Sequence, residues 1–178
     1  MKRHPYLPDA RPDGALGLGQ QYYWVASERE VDMSVEPPAP LRARVQAQPQ
    51  NVVLDLRRTA IVIIDLQNDF LDPRGAYARG GDTNPPALLL PARVATVARA
   101  LKAAGGMVVA SQFTLWPDAA GEPMVSPHLK ALRPYLAKGD FAPGSWGQAN
   151  VDALAGLVDV NVSKVAYSAF FNTQLDWV

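Results

Sequence analysis

The stretch Thr59-Ala60-Ile61-Val62-Ile63-Ile64-Asp65 is a run dominated by β-branched residues that stops abruptly on an acid. A continuous apolar run of this length is how a strand buried on both faces of a parallel sheet reads. Beyond a loop rich in Gly, Asp and Pro, Leu90, Val94, Val97 and Leu101 fall on one stripe of a helix, with Lys102 near its end and Gly105-Gly106 as its stop. Met107-Val108-Val109-Ala110-Ser111 supplies a second strand. Strand, helix and strand in this order make a right-handed crossover. The expected fold class is α/β: a doubly wound, mostly parallel sheet flanked by helices.

Towards the carboxyl end, residues 115–148 read as a long loop region with one short amphipathic piece, His128 to Leu136, and such loops line sites. A third strand is predicted around Val158 to Lys164, where Val158, Val160 and Val162 alternate with Asp159, Asn161 and Ser163. Thr173 stands three residues before Asp176, the spacing of a helix-opening capping box, and Leu175, Trp177 and Val178 begin an apolar face. A single terminal turn is unfavourable to nucleate. The expectation is that the 178 residues are a fragment or one of two pieces, insoluble or molten when expressed alone.

Towards the amino end, seven prolines lie between Pro5 and Pro49, and the Pro37, Pro38 and Pro40 cluster interrupts both helix and central strand. Residues 1–56 are therefore read as a Pro-rich extension and 57–178 as the α/β domain. Within the extension, Tyr22-Tyr23-Trp24-Val25, with Val31, Met33 and Val35, reads as extended chain suited to an arm on a neighbouring subunit. Gly14, Gly17 and Gly19 have the order G-x-x-G-x-G without a preceding strand, which is not a dinucleotide loop.

Composition narrows the function. Seventeen Lys plus Arg offset seventeen Asp plus Glu, so no global field attracts nucleic acid or an anionic membrane. No run approaches the ~18 apolar residues that cross a bilayer, and the first residues lack the apolar core of a secretion signal. A cytoplasmic protein is expected. The chain contains no cysteine, hence no disulfide, thiolate metal site or catalytic thiol of its own.

Ligands of open α/β sheets bind beyond the carboxyl ends of the strands, which singles out Asp65 and Lys164. Asp65-Leu66-Gln67-Asn68-Asp69-Phe70 is similar to the D-x-Q-N-D-F signature of the isochorismatase-like cysteine hydrolases. Lys164-Val165-Ala166-Tyr167-Ser168-Ala169-Phe170-Phe171-Asn172-Thr173-Gln174-Leu175 resembles their K-x-x-Y-S-x-F-x-x-T-x-L segment. Lys138-Gly139-Asp140-Phe141 through Gly144-Ser145-Trp146 adds a looser likeness, nearest to the ureidoacrylate and carbamoyl amidohydrolase branch. The resemblance covers residues 57–178.

It implies a Rossmann-like three-layer fold, incomplete in this chain, and a catalytic set of Asp, Lys and Cys. Asp65 matches the general base and Lys164 the neighbouring cation. The nucleophilic Cys belongs a few dozen residues beyond the lysine, and neither Ser163 nor Ser168 has a partner His that would let it substitute. Gln67 has two readings, a bond to the lysine or a substrate carbonyl, or satisfaction of loop backbone. Phe70, Phe113, Trp116, Tyr167 and Phe170 are aromatic candidates for a pocket wall, part of them core. Asn172 either reaches a ligand or caps local backbone. The stretch Thr114-Leu115-Trp116-Pro117-Asp118 lacks the D-x-H-x-x-x-H spacing with which some members bind a divalent metal, so no metal or other cofactor is expected.

The leading expectation is an amidohydrolase of a small amide, ureido or carbamoyl substrate. The alternatives are an isochorismatase-type vinyl ether hydrolase without Cys and a non-catalytic member. Expected partners are a homo-oligomer or a complementary C-terminal piece.

Overall fold

The structure, a computed structural model, describes residues 15–16, 24–26, 28–32 and 39–178. The chain divides into two compact units, Met1–Pro40 and Leu41–Val178. In the first, β1 (Ala15–Leu16), β2 (Trp24–Ala26) and β3 (Val31–Asp32) form an antiparallel sheet in that order. Tyr22, Tyr23, Met33, Val35, Pro37, Pro38 and the Gly14-Gly17-Gly19 cluster lie outside the described residues.

The second unit opens with an antiparallel hairpin, β4 (Arg42–Val45) with β5 (Val52–Asp55), inside what the sequence reads as extension. It is followed by β6 (Ala60–Ile64), the short helices α1 (Asn68–Leu71) and α2 (Ala76–Arg79), and α3 (Leu90–Ala103). Then come β7 (Met107–Phe113), α4 (Pro127–Leu132) and β8 (Val160–Lys164). β6, β7 and β8 form a parallel sheet in the order β6-β7-β8, so the fold is α/β with the expected crossover. Among the described residues no helix is long and apolar enough to cross a membrane.

Helix α3 ends where the sequence places its stop. Gly105 takes φ +88°, its N–H donates to Lys102 O, and the Gly106 N–H donates to Leu101 O, so the last carbonyls are satisfied by a left-handed turn that only glycine adopts without strain. Ala95 and Ala98 on the inner face of α3 pack on Ile63, Leu66, Val108, Ala110 and Leu154, and Leu101 on the same helix is buried. Small residues on the helix let it lie close to the strands.

The Ile-rich run is a strand, but it is not buried on both faces. Ile63 is buried, whereas Val62 and Ile64 are 45% and 67% exposed. Helix α3 covers one face of β6, and among the described strands β6 stands at one side of its sheet. The doubly buried strand is β7, central in the sheet, where Val108 through Ser111 are all buried. In β8 the alternation holds: Val162 and Lys164 point inward, Asn161 and Ser163 outward. Thr173 does accept a hydrogen bond from the Leu175 N–H, but the turn it opens, Leu175–Trp177, is a single 3-10 turn.

Candidate active site

The site is built by register. Ile64 pairs with Ser111 and Phe113 pairs with Lys164, so the carboxyl ends of three neighbouring strands come together. Asp65 is the first residue beyond β6 and turns into the left-handed region, φ +57°. Its N–H donates to Ser111 O (3.1 Å), and its own carbonyl accepts from the Gln67 N–H (2.9 Å).

The Asp65 carboxylate has a separate partner on each oxygen. Oδ2 lies 2.9 Å from Lys164 Nζ, and Oδ1 accepts from Ser111 Oγ at 2.9 Å. Lys164 is only 4% exposed, so its ammonium is nearly stripped of water. A buried cation is tolerated only with compensating partners. Here they are the carboxylate, the Ala166 carbonyl at 3.3 Å and the face of Phe113, whose centroid is 5.7 Å from Nζ.

Further hydrogen bonds fasten the loop of residues 139–150 to this rim. Gln67 is fully buried; its Nε2 donates to Phe113 O (2.9 Å) and Gln148 O (2.8 Å), and its Oε1 accepts from the Phe113 N–H (2.7 Å). Asn68 Nδ2 donates to Trp146 O at 2.8 Å. The buried Asp69 carboxylate accepts the N–H groups of Ala76 (3.0 Å) and Phe141 (2.7 Å). Gln148 in turn accepts the Gly144 N–H (2.6 Å) and donates to Thr114 Oγ1 (2.8 Å). Gly147 passes so near Asp69 that a Cβ there would stand 1.9 Å from Oδ2.

The isochorismatase domain pattern matches residues 59–178. The chain belongs to the isochorismatase family. This member is 32% identical over 155 residues to ureidoacrylate amidohydrolase RutB of Caulobacter segnis, covering 81% of this chain and 64% of the relative. It is 34% identical over 141 residues to the RutB of Methylobacterium radiotolerans, covering 73% and 54%. The chain thus spans about two thirds or less of the curated relatives it matches. A crystal structure of a cysteine hydrolase from Pseudomonas syringae pv. phaseolicola shares the fold, with a TM-score of 0.50 at 24% identity over 70% of this chain and 54% of that one.

Of the residues singled out by sequence, the fold joins Asp65 and Lys164 directly. Gln67 follows its backbone reading: every polar atom of its amide bonds main chain, and none reaches the lysine. Phe70 is half-buried in an aromatic cluster, with ring centroids 4.7 Å from Tyr77 and 4.6 Å from Phe141. Trp116 is half exposed, while Tyr167 and Phe170 are 90% and 67% exposed and Asn172 is exposed in a left-handed conformation. Ser111, Thr114 and Gln148 were missed by the sequence reading, because nothing in their spacing marks them. Among the described residues no group of three or more His, Asp or Glu side chains converges as metal donors would.

Proposed function

We propose that this protein hydrolyses a C–N bond of a small amide, ureido or carbamoyl compound in the cytoplasm, with Asp65 as general base and Lys164 as the cation beside it. What carries the reading is the contact between the Asp65 carboxylate and the buried Lys164 ammonium at the strand ends, in a chain similar to proteins named ureidoacrylate amidohydrolase. The nucleophile is a thiol from outside these 178 residues, which contain no cysteine. A complementary C-terminal piece supplies it, because a homo-oligomer of this chain alone brings no further cysteine, and Trp116, Tyr167, Phe170 and Asn172 contribute to the substrate pocket.

In the reaction Asp65 takes the thiol proton, and the lysine charge favours both the carboxylate and the thiolate. The thiolate adds to the carbonyl carbon, and backbone N–H groups beside it hold the oxyanion. The intermediate collapses by breaking the C–N bond, the departing nitrogen receives the proton from Asp65, and ammonia or an amine leaves. Water then attacks the thioester, giving the acid and restoring the thiol.

Ammonia release from a ureidoacrylate-type amide tests this on the whole protein. Asp65→Asn and Lys164→Met are each expected to lose at least about a hundredfold in kcat/KM. Parental rates in both variants would overturn the roles. The cysteine count favours a second reading, a member without the thiol that cleaves a vinyl ether with Asp65 as acid or does no chemistry at all. Turnover of a vinyl ether without ammonia release supports the former, and no turnover of either substrate the latter.

A further inference from the structure

Resting on the proposed hydrolysis, we infer that Ser111 is the positioning residue of the general base: it holds Asp65 at two points so that one carboxylate oxygen meets Lys164 and both keep a lone pair for the incoming proton. Ser111 belongs to none of the three stretches that point to the family. Its place in the sheet is what singles it out.

Asp65 has left the β6 ladder and adopts a left-handed backbone, a region that aspartate enters more readily than most residues but that leaves its side chain to be fixed by a hold from elsewhere. Ser111 provides that hold from the central strand. Its carbonyl accepts the Asp65 N–H at 3.1 Å, and its hydroxyl donates to Oδ1 at 2.9 Å. The first bond holds the backbone of Asp65 and the second the tip of its side chain.

The geometry then fixes the remaining oxygen. With Oδ1 occupied by the hydroxyl, Oδ2 is turned to Lys164 Nζ at 2.9 Å. Two partners on different oxygens set the plane of the carboxylate, which a single partner leaves free to rotate. Ser111 can serve as a reference point because it is 1% exposed and its strand is paired on both sides, Ile64 on one and Val162 on the other. Phe113, two residues on and on the same face, backs the ammonium. One strand therefore orients both the acid and its counter-ion.

The decisive comparison is Ser111→Thr against Ser111→Val, which have nearly one shape and differ in the hydroxyl. The Val variant is expected to lose about tenfold or more in kcat for ammonia release, with KM within about twofold of the parent and an unchanged Tm relative to Thr. The Thr variant is expected to stay within about threefold of the parental kcat. A crystal structure of Ser111→Ala is expected to show the Asp65 carboxylate turned away from Lys164. Equal kcat in the Thr and Val variants overturns the inference, as does a Ser111→Ala structure in which the Asp65–Lys164 contact is unchanged. Asp65→Asn assayed alongside separates the two levels. Full activity in that variant, or none in the parent, removes the proposed reaction, and the Ser111→Ala structure then decides the positioning role alone.

Discussion

The rim around Asp65 and the segment from Val165 to Val178 begin at the same residue, Lys164, yet they are held by different forces. At the rim, Gln67, Asn68, Asp69, Gln148 and Lys164 are polar and buried, and their bonds join residues far apart in sequence, such as Gln67 to the Gln148 carbonyl 81 positions away. In the following segment Tyr167, Phe170, Phe171 and Trp177 are large, aromatic and exposed, and the bonds are local, as between Thr173 and Ala169. Buried polar groups with single, directed partners specify one geometry, because each broken bond leaves a desolvated group behind. Exposed rings specify none. Precision in this molecule resides in its amides and carboxylates more than in its aromatic residues.

That contrast can be broken by mutation. Gly147→Ala should be the most damaging change, because its Cβ would stand 1.9 Å from the Asp69 carboxylate, which can yield only by giving up the N–H groups of Ala76 and Phe141; urea denaturation should show a loss of about 3 kcal/mol or more. Asp69→Ala strands the N–H groups of Ala76 and Phe141 and should lose about 2–4 kcal/mol by the same measurement. Gln67→Leu keeps the bulk but leaves the Phe113 N–H without its acceptor, for a loss of about 1–3 kcal/mol.

A smaller effect is expected from acid. Burial raises the Asp159 carboxyl, but its ion pair with Lys102 and the Val108 N–H (2.9 Å) outweigh burial and hold it below its ordinary 3.8. A carboxyl lowered in the folded protein stabilises it above that ordinary value, and the contribution fades as pH falls through the folded value. Lys102→Met should therefore narrow the difference in Tm between neutral pH and pH 3. The least effect belongs to Tyr167→Ser, expected within about 0.5 kcal/mol of the parent. A loss above about 1 kcal/mol there would erase the distinction between the two regions.

Much of the scaffold could be read from residue order alone. The apolar runs at 60–64 and 107–111 and the stripe from Leu90 to Leu101 are local signals, and each became the expected element. The position of a strand in its sheet is not a local property. A β-branched run states that a strand forms, but whether Val62 and Ile64 are covered depends on what packs against them. The hairpin Arg42–Asp55 was hidden for another reason: the prolines around it obscured the short paired strands. Asp65 and Lys164 were legible because they close apolar strands within recognisable motifs. Ser111, Thr114 and Gln148 each bond a residue far away in sequence, and polar side chains of that kind leave no periodicity to read.

The positive φ of Asp65 limits which replacements an evolving chain can try. Only Gly, Asn and Asp enter that backbone region at little expense. Glycine has no side chain and asparagine no charge, so drift at this codon has two comfortable exits, and both remove the proposed general base while leaving the turn intact. Glutamate keeps the charge but not the turn. Homologues that abandon catalysis should therefore carry Asn or Gly at this position more often than any other residue.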